Sequence, residues 1–160
     1  HRADDIATGI RLAKEFSLDY VIVHGTEAHR IPDLLAQEGA RVITGPSLGD
    51  RSKPELAHMT LENPAILAMH GVKVAICTDH PVIPVQYLPL CAALAVRGGM
   101  PPEAALAAIT INAAEIAGIG HLVGSLTPGK QADIVVTSGH PLNVLSRVRA
   151  VFIGGRQVVG

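Results

Sequence analysis

The sequence predicts an α/β fold with a parallel sheet, followed by a short segment of strands alone. Brief apolar, β-branched runs alternate with helical patterns from the start of the chain to Ile116, and each of those runs stops at a polar or glycine-containing turn. Beyond Gly118 the helical period gives way to short strands, the last two joined by Gly154-Gly155. Alternation of the first kind argues for right-handed βαβ units. A two-residue glycine link between strands is a hairpin signal. The boundary is expected between residues 117 and 118.

Ala3 to Phe16 sets Ile6, Ile10, Ala13 and Phe16 near helical spacing and leaves Asp4, Asp5 and Thr8 for the polar side, which predicts an amphipathic helix. Tyr20 to Val23 reads as a strand buried on both faces, ending at His24-Gly25. Pro32 to Glu38 is a helix with proline in its first turn and Gly39 as its stop. Arg41 to Thr44 is the second strand, broken by Gly45-Pro46. A polar loop runs to about Pro54. Asn63-Pro64 opens a helix that stops at His70-Gly71, and Val72 to Cys77 is the third strand. Two Ala-rich helices follow, Tyr87 to Val96 and Pro102 to Ile116, and then strands at Ala132 to Thr137, Val148 to Ile153 and Arg156 to Val159.

Composition excludes several function classes. Apolar residues make up 48% and charged residues 17% of the 160, enough apolar surface to offset the entropy of ordering the chain. Thirteen Lys and Arg against fourteen Asp and Glu give a net charge of −1, and no basic cluster offers nucleic acid a footprint. The apolar stretches fall short of the ~20 residues that span a bilayer. Two cysteines, Cys77 and Cys91, read as reduced core thiols, and a start without Met or an apolar leader reads as a cut chain without a secretory signal. A cytoplasmic setting is expected.

In parallel α/β folds reactive groups gather beyond the carboxyl ends of strands, where the loops share one crevice. His24 and Asp79 occupy two such positions. An imidazole and a carboxylate converging on one face suit zinc or a similar divalent ion; equally, each residue could cap a strand end or the helix after it. His1, ahead of the first helix, would share that face if a strand led into it. His80 and His29 lie next to these positions in sequence and are candidates for touching substrate. His58, His70, His121 and His140 read as structural or solvated, with His70 facing the negative end of its helix.

The runs HRADDI, VIVHGTEA, VKVAICTDHP, TINAAEIAGI and GSLTPGKQADIVV, in this order, resemble the C-terminal half of the metal-dependent amidohydrolase superfamily, on its imidazolonepropionase-like and dipeptidase-like side. The resemblance covers essentially the whole chain. It implies the C-terminal half of a (β/α)8 TIM barrel over residues 1–117, and over 118–160 the C-terminal strands of a small β-sandwich built from both chain ends. On that mapping the three strands are the barrel's sixth, seventh and eighth. His24 is then the sixth-strand histidine, a metal ligand or substrate contact. Asp79 is the eighth-strand aspartate that binds metal and shuttles the proton of the attacking water. His1 matches the second histidine of a fifth-strand pair, one step from the metal.

The family's first-strand histidine pair and fourth-strand lysine have no counterpart here, so the chain alone is expected to hold metal poorly. The expected function of the parent protein is hydrolysis of an amide or other C–N bond of a small substrate, with zinc, one ion or two, as the cofactor, or manganese or iron in its place. A deaminase of a heterocyclic ring is close in chemistry. A non-catalytic small-molecule-binding α/β domain is the rival from another class. Exposed strand edges imply self-association, or pairing with a complementary N-terminal half.

Overall fold

The computed structural model describes residues 1–160. Helix α1 (Ala3–Glu15) turns Ile6, Ile10 and Ala13 inward, with Asp4 and Asp5 in its first turn and Lys14 in its last, the charge order that a helix dipole favours. Strand β1 (Ile22–His24), helix α2 (Pro32–Gln37), strand β2 (Arg41–Thr44), helix α3 (Asn63–Met69) and strand β3 (Lys73–Ile76) follow in order. The strands pair in parallel as β1-β2-β3, with Ile22 opposite Val42 and Val42 opposite Val74.

Side chains alternate across a strand, and this sorts the sheet's two faces. Val42 and Val74 are buried against Ile6, Ile10, Leu35 and Leu67 in the layer of α1, α2 and α3. On the other face Val23 remains 52% exposed. The expectation that Tyr20 to Val23 is buried on both faces is corrected here, because the helices of the βα units all pack on one side.

A second core extends the first. Helix α4 (Leu88–Arg97) and helix α5 (Pro102–Ala108) enclose Cys91, Ala92, Ala95, Met100 and Ala105 with Ile76 of β3. The helix expected over Pro102 to Ile116 is two helices, the second being α6 (Ile111–Ile116). Thr110 stands between them, its hydroxyl donating to the Leu106 carbonyl at 2.7 Å, a side-chain bond that competes with the helical ladder. Both cysteines are free, and burial pushes their thiols up.

Strands β4 (Ile134–Thr137), β5 (Val148–Ile153) and β6 (Arg156–Val159) form a separate antiparallel sheet in the order β4-β5-β6. Gly154 and Gly155 both take positive φ between β5 and β6, the requirement of a tight two-residue hairpin. Leu142, on the β4–β5 connection, is buried in the second core and ties this sheet to the helices. No helix is long and apolar enough to cross a membrane.

Candidate active site

His24 is the last residue of β1 and Asp79 follows β3 by three residues. Both hold positive φ, 70° and 52°, so the chain turns sharply at each as it leaves the sheet. Between them β2 ends at Thr44 and is followed by Gly45, where φ is 124° and an added Cβ would lie 2.3 Å from the Cys77 carbonyl oxygen. Only glycine lets β2 leave the sheet this close to β3. The Gly45 carbonyl then accepts a hydrogen bond from His24 Nδ1 at 2.8 Å.

That bond fixes the tautomer. A carbonyl oxygen only accepts, so Nδ1 of His24 carries the proton and Nε2 keeps its lone pair. Nε2 lies 4.0 Å from Asp79 Oδ2. His1 stacks on His24 with ring centroids 4.8 Å apart and planes 16° from parallel. Lys53 Nζ is 3.1 Å from His1 Nε2; an ammonium only donates, so Nδ1 of His1 is the protonated nitrogen and donates to Thr26 Oγ1 at 2.8 Å. His24 thus meets both His1 and Asp79, residues far apart in sequence.

These rings open onto a crevice of about 140 Å³ whose lining includes Thr26, Thr44, Ser47 and Asn63. His1 and His24 are among its lining residues, whereas Asp79, His80 and His29 are not. His80 is exposed on the turn after Asp79. His29 donates its backbone N–H to Asn63 Oδ1 at 3.0 Å, its ring Nδ1 is buried without a partner, and burial pushes its pKa down. His58 donates to the Glu27 carboxylate at 2.7 Å, and His70 closes α3 by donating to the Ile66 carbonyl at 2.8 Å.

The donor chemistry here fits a divalent cation in part. His24 Nε2 has a free lone pair, and its Nδ1–H is anchored on a carbonyl in the way ligating histidines are held. Asp79 supplies a carboxylate beside it, and the Lys53 ammonium shows that the lone pair of His1 accepts a positive group. The set is incomplete, since no three His, Cys, Asp or Glu side chains lie close enough to hold an ion together, and a closed zinc site uses about four ligands.

Four residues of the site carried no sequence signal of a role in it. Asn63 opens α3 as expected, and in addition its amide donates to the Gly25 carbonyl at 2.9 Å while its oxygen receives His29 N–H, so it ties α3 to the loop after β1. Glu27 is a buried carboxylate that accepts the Ala3 backbone N–H at 3.0 Å, and that bond foremost lowers its pKa. Thr26 and Lys53 meet the imidazole of His1. The one available sequence signal was adjacency, since Thr26 and Glu27 directly follow His24-Gly25.

Residues 7–158 match the model of the Amidohydrolase family. Over 69 residues the chain is 54% identical to an imidazolonepropionase from Geobacillus kaustophilus (strain HTA426), a match that covers 41% of this chain and 16% of that protein. A solved amidohydrolase from Thermotoga maritima MSB8 superposes with a TM-score of 0.95 at 47% identity, covering 99% of this chain and 41% of that one. A Xaa-Pro dipeptidase solved with methionine in its active site gives a TM-score of 0.72 at 25% identity, covering 96% of this chain and 43% of that one. The chain therefore spans about two fifths of each of these solved structures.

Proposed function

The chain belongs to the amidohydrolase family, and on that premise we propose that the full-length protein hydrolyses an amide or another C–N bond of a small substrate with the help of a divalent metal ion. The observation that carries this reading is the meeting of His24 and Asp79, 4.0 Å apart beyond the carboxyl ends of two parallel strands, with His1 stacked on His24. In this reading the chain is the C-terminal half of a (β/α)8 barrel with the last strands of a β-sandwich, and the other ligands come from residues outside it.

His24 Nε2 and the Asp79 carboxylate would hold the ion, with His1 beside them. When bound, a divalent ion lowers the pKa of a water toward neutrality and polarises the scissile carbonyl. Asp79 takes the proton of the attacking water and hands it to the leaving nitrogen, general base and then general acid at one carboxylate. Its position at the exposed rim of the strand ends leaves that proton a path to substrate. Gly45 keeps His24 in the tautomer whose lone pair faces Asp79. The crevice is small and is lined mainly by uncharged groups, in keeping with a small substrate.

The test is metal content and turnover of the full-length protein on dipeptides, N-acyl amino acids, cyclic amides and amino-heterocycles. Near-stoichiometric zinc, manganese or iron is expected, together with loss of turnover in Asp79→Asn. Asp79→Asn activity within about tenfold of wild type, a barrier change of only ~1.4 kcal/mol, removes Asp79 from the mechanism. A folded, metal-free protein with no turnover favours a small-molecule-binding domain instead.

A further inference from the structure

Glu27 is the one charged residue among the buried ones, 7% exposed, and nothing in the proposed chemistry uses it. A buried carboxylate is costly unless its lone pairs are taken, so its partners show what its burial accomplishes. Oε2 accepts the Ala3 backbone N–H at 3.0 Å, and Oε1 accepts His58 Nδ1–H at 2.7 Å with Arg30 at 3.4 Å. The Glu27 backbone N–H in turn donates to the His1 carbonyl at 2.9 Å. Glu27 therefore grips the backbone on both sides of Arg2, from the His1 carbonyl to the Ala3 amide.

Thr26, also buried, receives Nδ1–H of the His1 ring at 2.8 Å. Two adjacent residues, directly after His24-Gly25, thus hold one histidine by its main chain and its ring. Because they follow β1 and His24 ends it, the same short segment sets both imidazoles, which stack 4.8 Å apart. His58 lies in the stretch containing Leu56, Met59 and Thr60, which line the crevice, so the Glu27 carboxylate also ties that wall to the His1 segment.

We infer that Thr26 and Glu27 are positioning residues for His1, Thr26 fixing its ring and Glu27 its backbone, so that the imidazole is held flat against His24. The inference deepens the metal-site reading above and rests on it for its main readout. The measurement is zinc affinity of the full-length protein, by competition with a chromogenic chelator, in a cycle of wild type, Glu27→Ala, His1→Ala and the double variant. Glu27→Ala, which removes the bond to Ala3 N–H and leaves the Glu27 N–H bond to the His1 carbonyl, should bind zinc about tenfold more weakly, the low end of the range for outer partners of a metal site. In the His1→Ala background it should cost nothing further, because a residue that acts only through His1 has nothing left to position.

Thr26→Val, which keeps the volume and removes the hydroxyl, should behave the same way, and it decides the question should Glu27→Ala fail to fold. Glu27→Gln retains an acceptor for Ala3 N–H and should recover most of the affinity. A merely structural role predicts equal losses in both backgrounds, or a lowered thermal midpoint with zinc affinity unchanged; either result overturns the inference. A wild type that takes up no zinc sinks the metal-site reading and this inference with it, whereas a zinc-binding wild type with Glu27→Ala and Thr26→Val unaltered sinks this inference alone.

Discussion

His29 shows how a histidine beside a site can belong to the fold. Its ring Nδ1 is buried without a partner, and burial pushes its pKa below the ordinary 6.5. The folded state therefore prefers the neutral ring. For a base with a lowered folded pKa, the associated stability is complete above the unfolded value and is lost as pH falls from 6.5 through the folded value. Urea midpoints measured at about pH 7.5 and about pH 5 should fall further for wild type than for His29→Leu, which has no ring to protonate. Equal falls for the two proteins would remove His29 as the source of that acid sensitivity. Turnover at neutral pH should change little in His29→Leu, since the ring Nδ1 is buried without a partner and touches neither His24 nor Asp79.

Helix α3 gives the matching contrast one level up. Leu67 is 0% exposed and Met69, two residues on, is 72% exposed, so one helix presents both extremes. Leu67→Ala should lower stability by about 2–5 kcal/mol through lost contacts and a cavity, and Met69→Ala by less than about 0.5 kcal/mol; denaturant midpoints decide. Elements such as α3 were legible because their period and stop signals are local. The three parallel strands, their order in the chain and the His24 and Asp79 strand ends were legible for the same reason. The break at Thr110 was not, because Ala-rich sequence on both sides hides a single hydroxyl-to-carbonyl bond. Nor were the partners of His1, since Glu27 and Lys53 reach it across 26 and 52 residues of sequence, and no local pattern encodes such a meeting.

At the scale of the whole chain, the open face beside Val23 and the exposed apolar side chains of the C-terminal segment set its solution behaviour. Leu145 is 83% exposed, and Leu126 and Val144 are also largely uncovered, and exposed apolar side chains of this kind favour association where they cluster. The 160-residue chain by itself should self-associate, read by light scattering coupled to size exclusion. A monodisperse species near 16.7 kDa that unfolds in one transition would overturn the half-barrel reading. The left-handed turns at His24 and Asp79 bear on a different question, how such a protein would drift under selection. A non-glycine residue in that backbone region carries strain of about 1–3 kcal/mol, so the two positions on which the proposed chemistry rests are also places where the fold would be relieved by losing them. Asp79→Gly should raise the thermal midpoint, measured by calorimetry, while abolishing turnover. A screen that rewards heat resistance and ignores catalysis would then enrich changes at position 79 early and yield hardier proteins that do nothing.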